Sequence, residues 1–334
     1  MLAGVSCSSD AVEAPPASPD RLEFRAAPVR AVAGVALDPA VQVVIRTLDG
    51  SIDASSTAAV SLTSRSSTVA DTLRGTTTAD AVAGVATFPG LVLNRVSADT
   101  RLFARASGLT GAESTPLRVM HGEPVQLVFL SQPAGAIAGQ PLPALRVQLQ
   151  DIGGNRVMSA NGPVTVGIST GPAGAVITGT STADLVSGEA SLADVRLPRA
   201  GVGYTLTVSL VGSAGVRSPV TRVFTTVPAA PAALTFAAEP STSIAGSPIS
   251  PPVRVAILDA LGNTITGSNA SISLDLAVAP TGTQLLGTAT IPATAGIATY
   301  PDIRVDRAAA SVRLRASSPG LTSAISAIFA VGAP

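Results

Sequence analysis

The sequence predicts an all-β protein in which a two-sheet sandwich is repeated three times. Three observations support this fold class. Short apolar strings alternate with polar residues, helical periodicity is hard to find, and a set of landmarks recurs in the same order three times. The 31 Gly and 26 Pro residues would interrupt long helices and are typical of a chain rich in turns.

The alternating strings predict the individual strands. Apolar residues occupy every second position in 41–45, 145–149 and 253–257. A period of two places one face of a strand in the core and the other in water. Lys is absent and Glu and Gln are scarce, whereas Val, Thr and Ser are abundant, so intrinsic propensity also favours strands over helices.

Internal repetition predicts the architecture. Each copy has an aromatic opening strand, an Ala-Gly pair, an Asp before a turn, and a Gly-initiated string that ends in a bulky apolar residue. These landmarks are Phe24, Phe129 and Phe236; Ala33-Gly34, Ala138-Gly139 and Ala245-Gly246; Asp49, Asp151 and Asp259; and 84–88, 188–192 and 296–300. The spacing of about 105 residues suits a two-sheet sandwich better than a solenoid repeat.

The second copy shows the predicted strands most clearly. They cover Leu127–Leu130, Leu145–Gln150, Val164–Ile168, Glu189–Leu192, Tyr204–Leu210 and Val220–Thr225. The turns 151–155 and 259–263 contain Gly and Asn, which tolerate positive φ. In the first copy this turn shrinks to Asp49-Gly50, which predicts a tight hairpin.

The repeated motifs resemble those of bacterial immunoglobulin-like repeats, the tandem modules found in invasin- and intimin-type surface proteins. Besides the landmarks above, a Gly-Thr-x-Thr element stands at 75–78, 179–182 and 287–290. The resemblance covers Leu22 to Val331, and the first copy diverges most, in its Asp turn and in Ser61–Thr72. It implies three immunoglobulin-like Greek-key β-sandwiches, at 21–121, 122–228 and 229–334, joined by short proline-containing linkers. It also implies that the chain carries no catalytic residues.

Residues 1–20 are predicted to be a signal remnant and flexible tether. Small and apolar residues precede Cys7, and a polar, proline-rich stretch follows it, which resembles the end of a bacterial lipoprotein signal. Cys7 is therefore the predicted lipid-attachment site. Because a basic segment and most of an apolar segment are missing, we expect the reading frame to begin upstream of Met1. The alternative is a stray cysteine in a disordered leader.

Composition excludes several classes of function. The chain has no Lys, one His and one Cys, so it lacks a phosphate-loop lysine, a Cys/His metal cluster and a disulfide framework. Its formal net charge is zero, and no basic stripe with interleaved aromatic residues is present. The sequence therefore predicts no cofactor and no nucleic-acid partner.

Two sequence features resemble catalytic or switching groups. Ser169 lies in a Gly-x-Ser-x-Gly string at 167–171, but a nucleophile elbow also needs a following helix and a later His. The only His, His121, lies upstream, so the string is interpreted as a strand that runs into a loop. His121 either titrates near neutral pH at a linker or is an exposed residue without function.

Two further sets of residues have alternative interpretations. Asp49, Asp151 and Asp259 either ligate Ca²⁺, with Asp53 as a helper in the first copy, or accept hydrogen bonds from the amides of their own turns. One carboxylate in each turn favours the second interpretation. Tyr204 either forms a tyrosine-corner hydrogen bond or packs in the core.

Taken together, the sequence predicts a non-enzymatic, exported bacterial cell-surface protein that acts as a structural stalk or an adhesion module. Its partner would be an unknown protein or glycan at the cell surface, and it would meet a membrane only through a lipid on Cys7. The alternative is a secreted carbohydrate- or matrix-binding module. The absence of Trp and the presence of only two Tyr residues argue against the aromatic platforms that such modules ordinarily expose.

Overall fold

The computed structural model describes residues 20–334, so Cys7 lies outside the described part of the chain. Residues 20–334 contain strands and no helix, which confirms the all-β prediction, and no helix there could cross a membrane. The chain divides into two compact units. Unit 1 runs to Gln126 and includes Leu149–Ala160 and Val186–Glu189, and unit 2 comprises Leu127–Gln148, Asn161–Leu185 and Ala190–Pro334.

The first nine strands belong to unit 1. They are β1 (Arg21–Ala26), β2 (Arg30–Val32), β3 (Val41–Arg46), β4 (Ala59–Arg65), β5 (Thr78–Asp80), β6 (Val85–Phe88), β7 (Ser97–Arg105), β8 (Ala112–Glu113) and β9 (Leu117–Met120). They form one sheet of order β1-β3-β6 and another of order β2-β9-β7-β4-β5, in which β8 pairs with β7. The β2–β9 pair is parallel, and the other pairs within these two sheets are antiparallel.

Ten strands follow between residues 126 and 227. They are β10 (Gln126–Phe129), β11 (Ala136–Ile137), β12 (Leu145–Gln150), β13 (Gly162–Thr170), β14 (Thr178–Gly179), β15 (Thr182–Leu185), β16 (Glu189–Leu192), β17 (Val195–Arg196), β18 (Gly201–Leu210) and β19 (Phe224–Val227). The sheet orders are β10-β12-β16, β11-β19-β18-β13-β15 and β14-β17. A parallel edge pair, β11–β19, corresponds to the parallel pair in the preceding set.

Eleven strands complete unit 2. They are β20 (Pro231–Ala238), β21 (Ser243–Ile244), β22 (Val253–Asp259), β23 (Ser271–Val278), β24 (Leu285–Leu286), β25 (Thr290–Pro292), β26 (Ile297–Tyr300), β27 (Arg304–Val305), β28 (Ala309–Ser317), β29 (Ala324–Ile325) and β30 (Phe329–Gly332). Their sheet orders are β20-β22-β26, β21-β30-β28-β23-β25 and β24-β27, and β29 pairs with β28. The same arrangement of sheets thus recurs along the described chain.

Aliphatic side chains from the alternating strands form the cores. One cluster of buried residues in unit 1 runs from Leu22 to Val119, and one in unit 2 runs from Leu234 to Val331. Burying this apolar surface stabilises the fold by about 25 cal/mol per Å². The division into three domains with boundaries at 121 and 228 stays a prediction.

Most strand predictions for the second copy agree with the structure. The predicted strands 145–150 and 189–192 match β12 and β16, and the others fall within a few residues of β10, β13 and β18. The predicted strand Val220–Thr225 was wrong at its start, because β19 begins only at Phe224. Val220 makes an isolated bridge to Thr207 instead.

Close backbone packing explains the Gly of the Gly-Thr-x-Thr element. Gly75, Gly179 and Gly287 have φ values of 98°, 78° and 101°, in the left-handed region. A methyl group at Gly179 would overlap the carbonyl oxygen of Asp194, and one at Gly287 would overlap that of Asp302. The motif therefore recurs because only glycine has both the backbone freedom and the small size that this turn requires.

We expect Gly179→Ala to lower the free energy of unfolding by about 3 kcal/mol or more, because a backbone carbonyl must move to admit the methyl group. Gly212→Ala is the matched control, since Gly212 has φ 80° and no atom within 4 Å of the added carbon. That control should lose only about 1–2 kcal/mol, the penalty for a left-handed alanine. Urea denaturation followed by far-UV circular dichroism measures both values, and equal losses would contradict the packing explanation.

Candidate functional site

Two turns of the pattern Asp-x-x-x-Asn form polar sites that repeat the same set of hydrogen bonds. The first follows β12 and runs from Asp151 to Asn155, and the second begins at the end of β22 and runs from Asp259 to Asn263. The first lies entirely within unit 1 and the second entirely within unit 2. Gly residues inside both turns adopt positive φ, which lets each chain reverse sharply.

The carboxylate of Asp151 organises the first turn and also holds a distant segment. The amides of Gly153 and Asn155 donate to Asp151 Oδ1 at 2.9 and 2.8 Å. The amide of Gly122, in the segment that follows β9, donates to Asp151 Oδ2 at 2.8 Å. Asp151 is fully buried, so water does not compete for these hydrogen bonds.

The carboxamide of Asn155 extends the same network to the loop before β7. Asn155 Nδ2 donates to the Asn94 carbonyl oxygen at 2.6 Å, and the Val96 amide donates to Asn155 Oδ1 at 3.0 Å. The same Nδ2 lies 3.0 Å from both carboxylate oxygens of Asp151. We call Asp151 and Asn155, together with Gly122, Asn94 and Val96, the first clamp.

The second turn reproduces this geometry. The amides of Leu261 and Asn263 donate to Asp259 Oδ1 at 2.9 Å, and the amide of Ala229 donates to Oδ2 at 2.9 Å. Asn263 Nδ2 donates to the Pro198 carbonyl oxygen at 2.8 Å, and the Ala200 amide donates to Asn263 Oδ1 at 2.8 Å. We call Asp259 and Asn263, together with Ala229, Pro198 and Ala200, the second clamp.

An apolar contact accompanies each clamp. A Cβ built on Gly34 would lie 2.6 Å from Cγ2 of Ile152, and one built on Gly139 would lie 2.6 Å from Cδ1 of Leu261. Gly34 and Gly139 are the glycines of the repeated Ala-Gly pair. The pair therefore leaves space for an apolar side chain of the turn, whereas Gly246, the third member, has no atom within 4 Å of such a Cβ.

The first copy departs from this arrangement. Asp49 forms the predicted tight turn, in which Asp49 Oδ1 accepts hydrogen bonds from Ser51 N, Ser51 Oγ and Thr47 Oγ1. Asp49 is exposed and has no Asn four residues later. Its hydrogen bonds with Thr47 and Ser51 lower its pKa to about 2. The hydrogen bonds of Asp49 therefore stay within its own turn.

The Asp turns bear on the Ca²⁺ interpretation. The carboxylates of Asp151 and Asp259 accept hydrogen bonds from the amides of their own turns, as the second interpretation predicts. Within residues 20–334 no three His, Cys, Asp or Glu side chains are grouped in a way that could hold a metal ion. The roles of the Asn side chains and of the amides of Gly122 and Ala229 were not predicted from the sequence. A signal for the Asn side chains was present in the sequence. An Asn stands four residues after the Asp in the second and third copies but not in the first.

Acid is expected to weaken the second clamp. Burial raises the pKa of Asp259, but hydrogen bonds from Asn263, Ala229 and Leu261 together lower it below its ordinary value of 3.8. A carboxylate with a lowered folded-state pKa stabilises the protein above about pH 4, the unfolded-state value, and this stability is lost as the pH falls through the folded-state pKa.

We therefore expect the melting temperature to fall as the pH is lowered from 5 to 2.5, with a smaller fall for Asp259→Asn. Calorimetric scans at a series of pH values test this expectation. A wild-type melting temperature that does not change over this range would contradict it.

The Gly-x-Ser-x-Gly string at 167–171 does not form a nucleophile elbow. Ser169 is exposed near the end of β13, and the chain continues into a turn rather than a helix. His121 lies elsewhere: its Nδ1 is 3.0 Å from the Gly122 carbonyl oxygen and its Nε2 is 3.2 Å from Ser159 Oγ. The structure therefore supports the interpretation of 167–171 as a strand that ends in a loop.

Both interpretations of Tyr204 are correct. Its hydroxyl donates to the Arg199 carbonyl oxygen at 2.7 Å, as in a tyrosine corner. The side chain is also fully buried, and its ring stacks on Phe224 with centroids 5.8 Å apart. Burial raises the pKa of Tyr204 above 10.0, with a smaller opposing effect from the charge of Arg199. The hydroxyl thus remains protonated and fixes the backbone beside the second clamp.

Comparison with known proteins gives remote structural likenesses only. No family model matches the chain, and no protein of curated function matches its sequence. The Escherichia coli adhesin FdeC is 14% identical with a TM-score of 0.35, over 94% of this chain and 96% of that one. The FN1–FN3 domains of chicken CNTN1 are 10% identical with a TM-score of 0.34, over 95% and 100%.

A β-glycosidase from Bacteroides vulgatus is also similar, at 11% identity and a TM-score of 0.29. The match covers 63% of this chain and only 25% of the glycosidase. Neither this likeness nor the two above supplies residues that can be carried over.

Proposed function

We propose that this protein is a non-catalytic cell-surface protein that acts as a structural stalk or adhesion module, and that the two clamps stiffen it. One observation carries the proposal: the same set of hydrogen bonds occurs twice, close to the two predicted domain boundaries. Repetition of the same bonds near both predicted boundaries supports a mechanical role at these positions.

Each clamp fixes three segments at once. In the first, Asp151 holds the amide of Gly122 in the predicted linker, and Asn155 holds the loop of Asn94 and Val96. A hydrogen bond of this kind contributes about 1 kcal/mol, and more when the acceptor is charged and buried. Bending at the linker would break several such bonds together, so the clamp resists bending.

The side chains of Asn155 and Asn263 provide the direct test. We expect amide hydrogen exchange at Val96 to accelerate in Asn155→Ala and at Ala200 in Asn263→Ala, because each amide loses its acceptor. Small-angle scattering of the double variant should show a broader distribution of intramolecular distances than the wild type. Asn269→Ala, at an exposed position outside both clamps, is the control.

Unchanged exchange at both amides, with the wild-type scattering profile, would contradict the mechanical proposal. The melting temperature of each variant separates loss of the clamp from general unfolding. A variant that remains folded and still gains flexibility supports the proposal.

Attachment to a membrane through Cys7 belongs to the same proposal. The small residues before Cys7 and the proline-rich stretch after it support a lipoprotein signal and tether. We expect the protein, expressed in bacteria from its native gene, to sediment with membranes, and Cys7→Ala to release it. Equal distribution of the two proteins between the membrane and soluble fractions would contradict lipid attachment and leave the clamp argument unaffected.

A further inference from the structure

A cleft in unit 2 lies beside the second clamp. It has a volume of about 510 Å³ and is lined by residues that include Arg199, Thr225, Thr226, Asn263, Thr264 and Thr266. This volume is within the range of small-molecule sites, about 300–1,000 Å³. The lining contains no carboxylate and no aromatic ring. We call it the Arg199 cleft.

The backbone that carries Arg199 is held at three successive residues. Tyr204 Oη donates to the Arg199 carbonyl oxygen, and Asn263 binds both the Pro198 carbonyl oxygen and the Ala200 amide. Arg199 is exposed, and its side chain forms no ion pair or hydrogen bond within the described residues. A fixed backbone therefore presents an unpaired guanidinium group at the cleft, which reduces the ordering that binding requires.

The equivalent residue of the third copy behaves differently. Arg307 stands at the same position after its strand, and its guanidinium pairs with Asp306 at 3.1 Å. The pairing of Arg307 shows that an intramolecular partner is possible at this position. Arg199 has Pro198 in place of that Asp, so its charge is available to a ligand.

A second, independent feature is the hydroxyl of Thr226. This residue is 1% exposed, and its Oγ1 is buried with no hydrogen-bond partner. Buried hydroxyl groups are nearly always paired, so an orphan hydroxyl in a residue that lines a cleft calls for an explanation, and a polar group bound in the cleft would supply one. Thr226 lines the Arg199 cleft, so a ligand held there would lie next to this residue.

We infer that the Arg199 cleft binds a saccharide that carries a carboxylate group. The planar guanidinium group of Arg199 can donate two parallel hydrogen bonds to the two oxygens of a carboxylate. Thr225, Thr264 and Thr266, which are not buried, carry hydroxyl and methyl groups that suit the alternating hydroxyl and C–H groups of a sugar ring. The absence of an aromatic ring removes the usual platform for a neutral sugar, so the charge supplies the main attraction.

Isothermal titration calorimetry of the full chain with hexagalacturonate tests the inference, with maltohexaose as the neutral probe. We expect binding of hexagalacturonate alone. Arg199→Gln should weaken this binding by roughly tenfold or more, and Arg199→Lys should restore it only partly, because lysine lacks the planar fork. Arg307→Gln is the matched control and should bind as the wild type does.

Three results would overturn the inference: no binding of hexagalacturonate, equal binding of maltohexaose, or equal weakening by Arg199→Gln and Arg307→Gln. Thr226→Val keeps the residue shape and removes the orphan hydroxyl, so weaker binding by a variant with an unchanged melting temperature supports a role for Thr226. The inference does not depend on the proposed stalk function, because hydrogen exchange tests the clamps and calorimetry tests the cleft.

Discussion

Asp151→Ala is expected to lower the free energy of unfolding by about 3–5 kcal/mol, because it leaves one buried and two partly buried amide donors without an acceptor. The amides of Gly122, Gly153 and Asn155 all donate to this carboxylate, and the side chain is fully buried. Urea denaturation followed by far-UV circular dichroism measures the change. The effect should appear in the transition that unfolds unit 1.

Asp49→Ala is the matched control for that prediction. Asp49 also accepts three hydrogen bonds, but its turn is exposed and water can replace the lost acceptor. We expect a loss of less than about 1 kcal/mol. Similar losses for Asp49→Ala and Asp151→Ala would show that the first clamp contributes little to stability.

Tyr204→Ala is expected to lower the free energy of unfolding by about 3–5 kcal/mol, the usual range for truncation of a buried aromatic residue. The variant loses the stacking on Phe224 and leaves a cavity in the core. It also releases the backbone of Arg199. Calorimetric unfolding of unit 2 provides the measurement.

Tyr204→Phe separates the two roles of this side chain. It keeps the ring and removes only the hydrogen bond to Arg199, so we expect a loss of about 1 kcal/mol. If Tyr204→Phe destabilised the protein as much as Tyr204→Ala, the corner hydrogen bond rather than core packing would dominate. A negligible effect of Tyr204→Ala would contradict both roles.

Local patterns predicted much of the fold. The alternating strings at 145–149 and 253–257 predicted β12 and β22, because a strand with one buried face needs apolar residues at every second position. The glycines of the Gly-Thr-x-Thr element were visible as a repeated motif. Their physical reason, contact with a backbone carbonyl of another segment, became clear only in the folded chain.

The clamps were predicted only in part. The sequence indicated that Asp151 and Asp259 bind their own turn amides, because Asp before a Gly-containing turn commonly does so. It did not indicate that Asn155 would reach Asn94, 61 residues earlier, or that Asn263 would reach Ala200, 63 residues earlier. Such partners depend on where the sheets place two distant loops.

The sequence by itself determined the all-β class, most strands of the second copy, the threefold repetition and the Gly-containing turns, because each depends on neighbouring residues along the chain: alternation, tolerance of positive φ and spacing. Only the tertiary structure decided which polar groups meet. It joined the Asp-x-x-x-Asn turns to segments far away in the sequence, and it left Arg199 unpaired where Arg307 has a partner. Hydrogen bonds act over about 3 Å, so the partner of a side chain is set by the folded backbone and not by its distance along the chain.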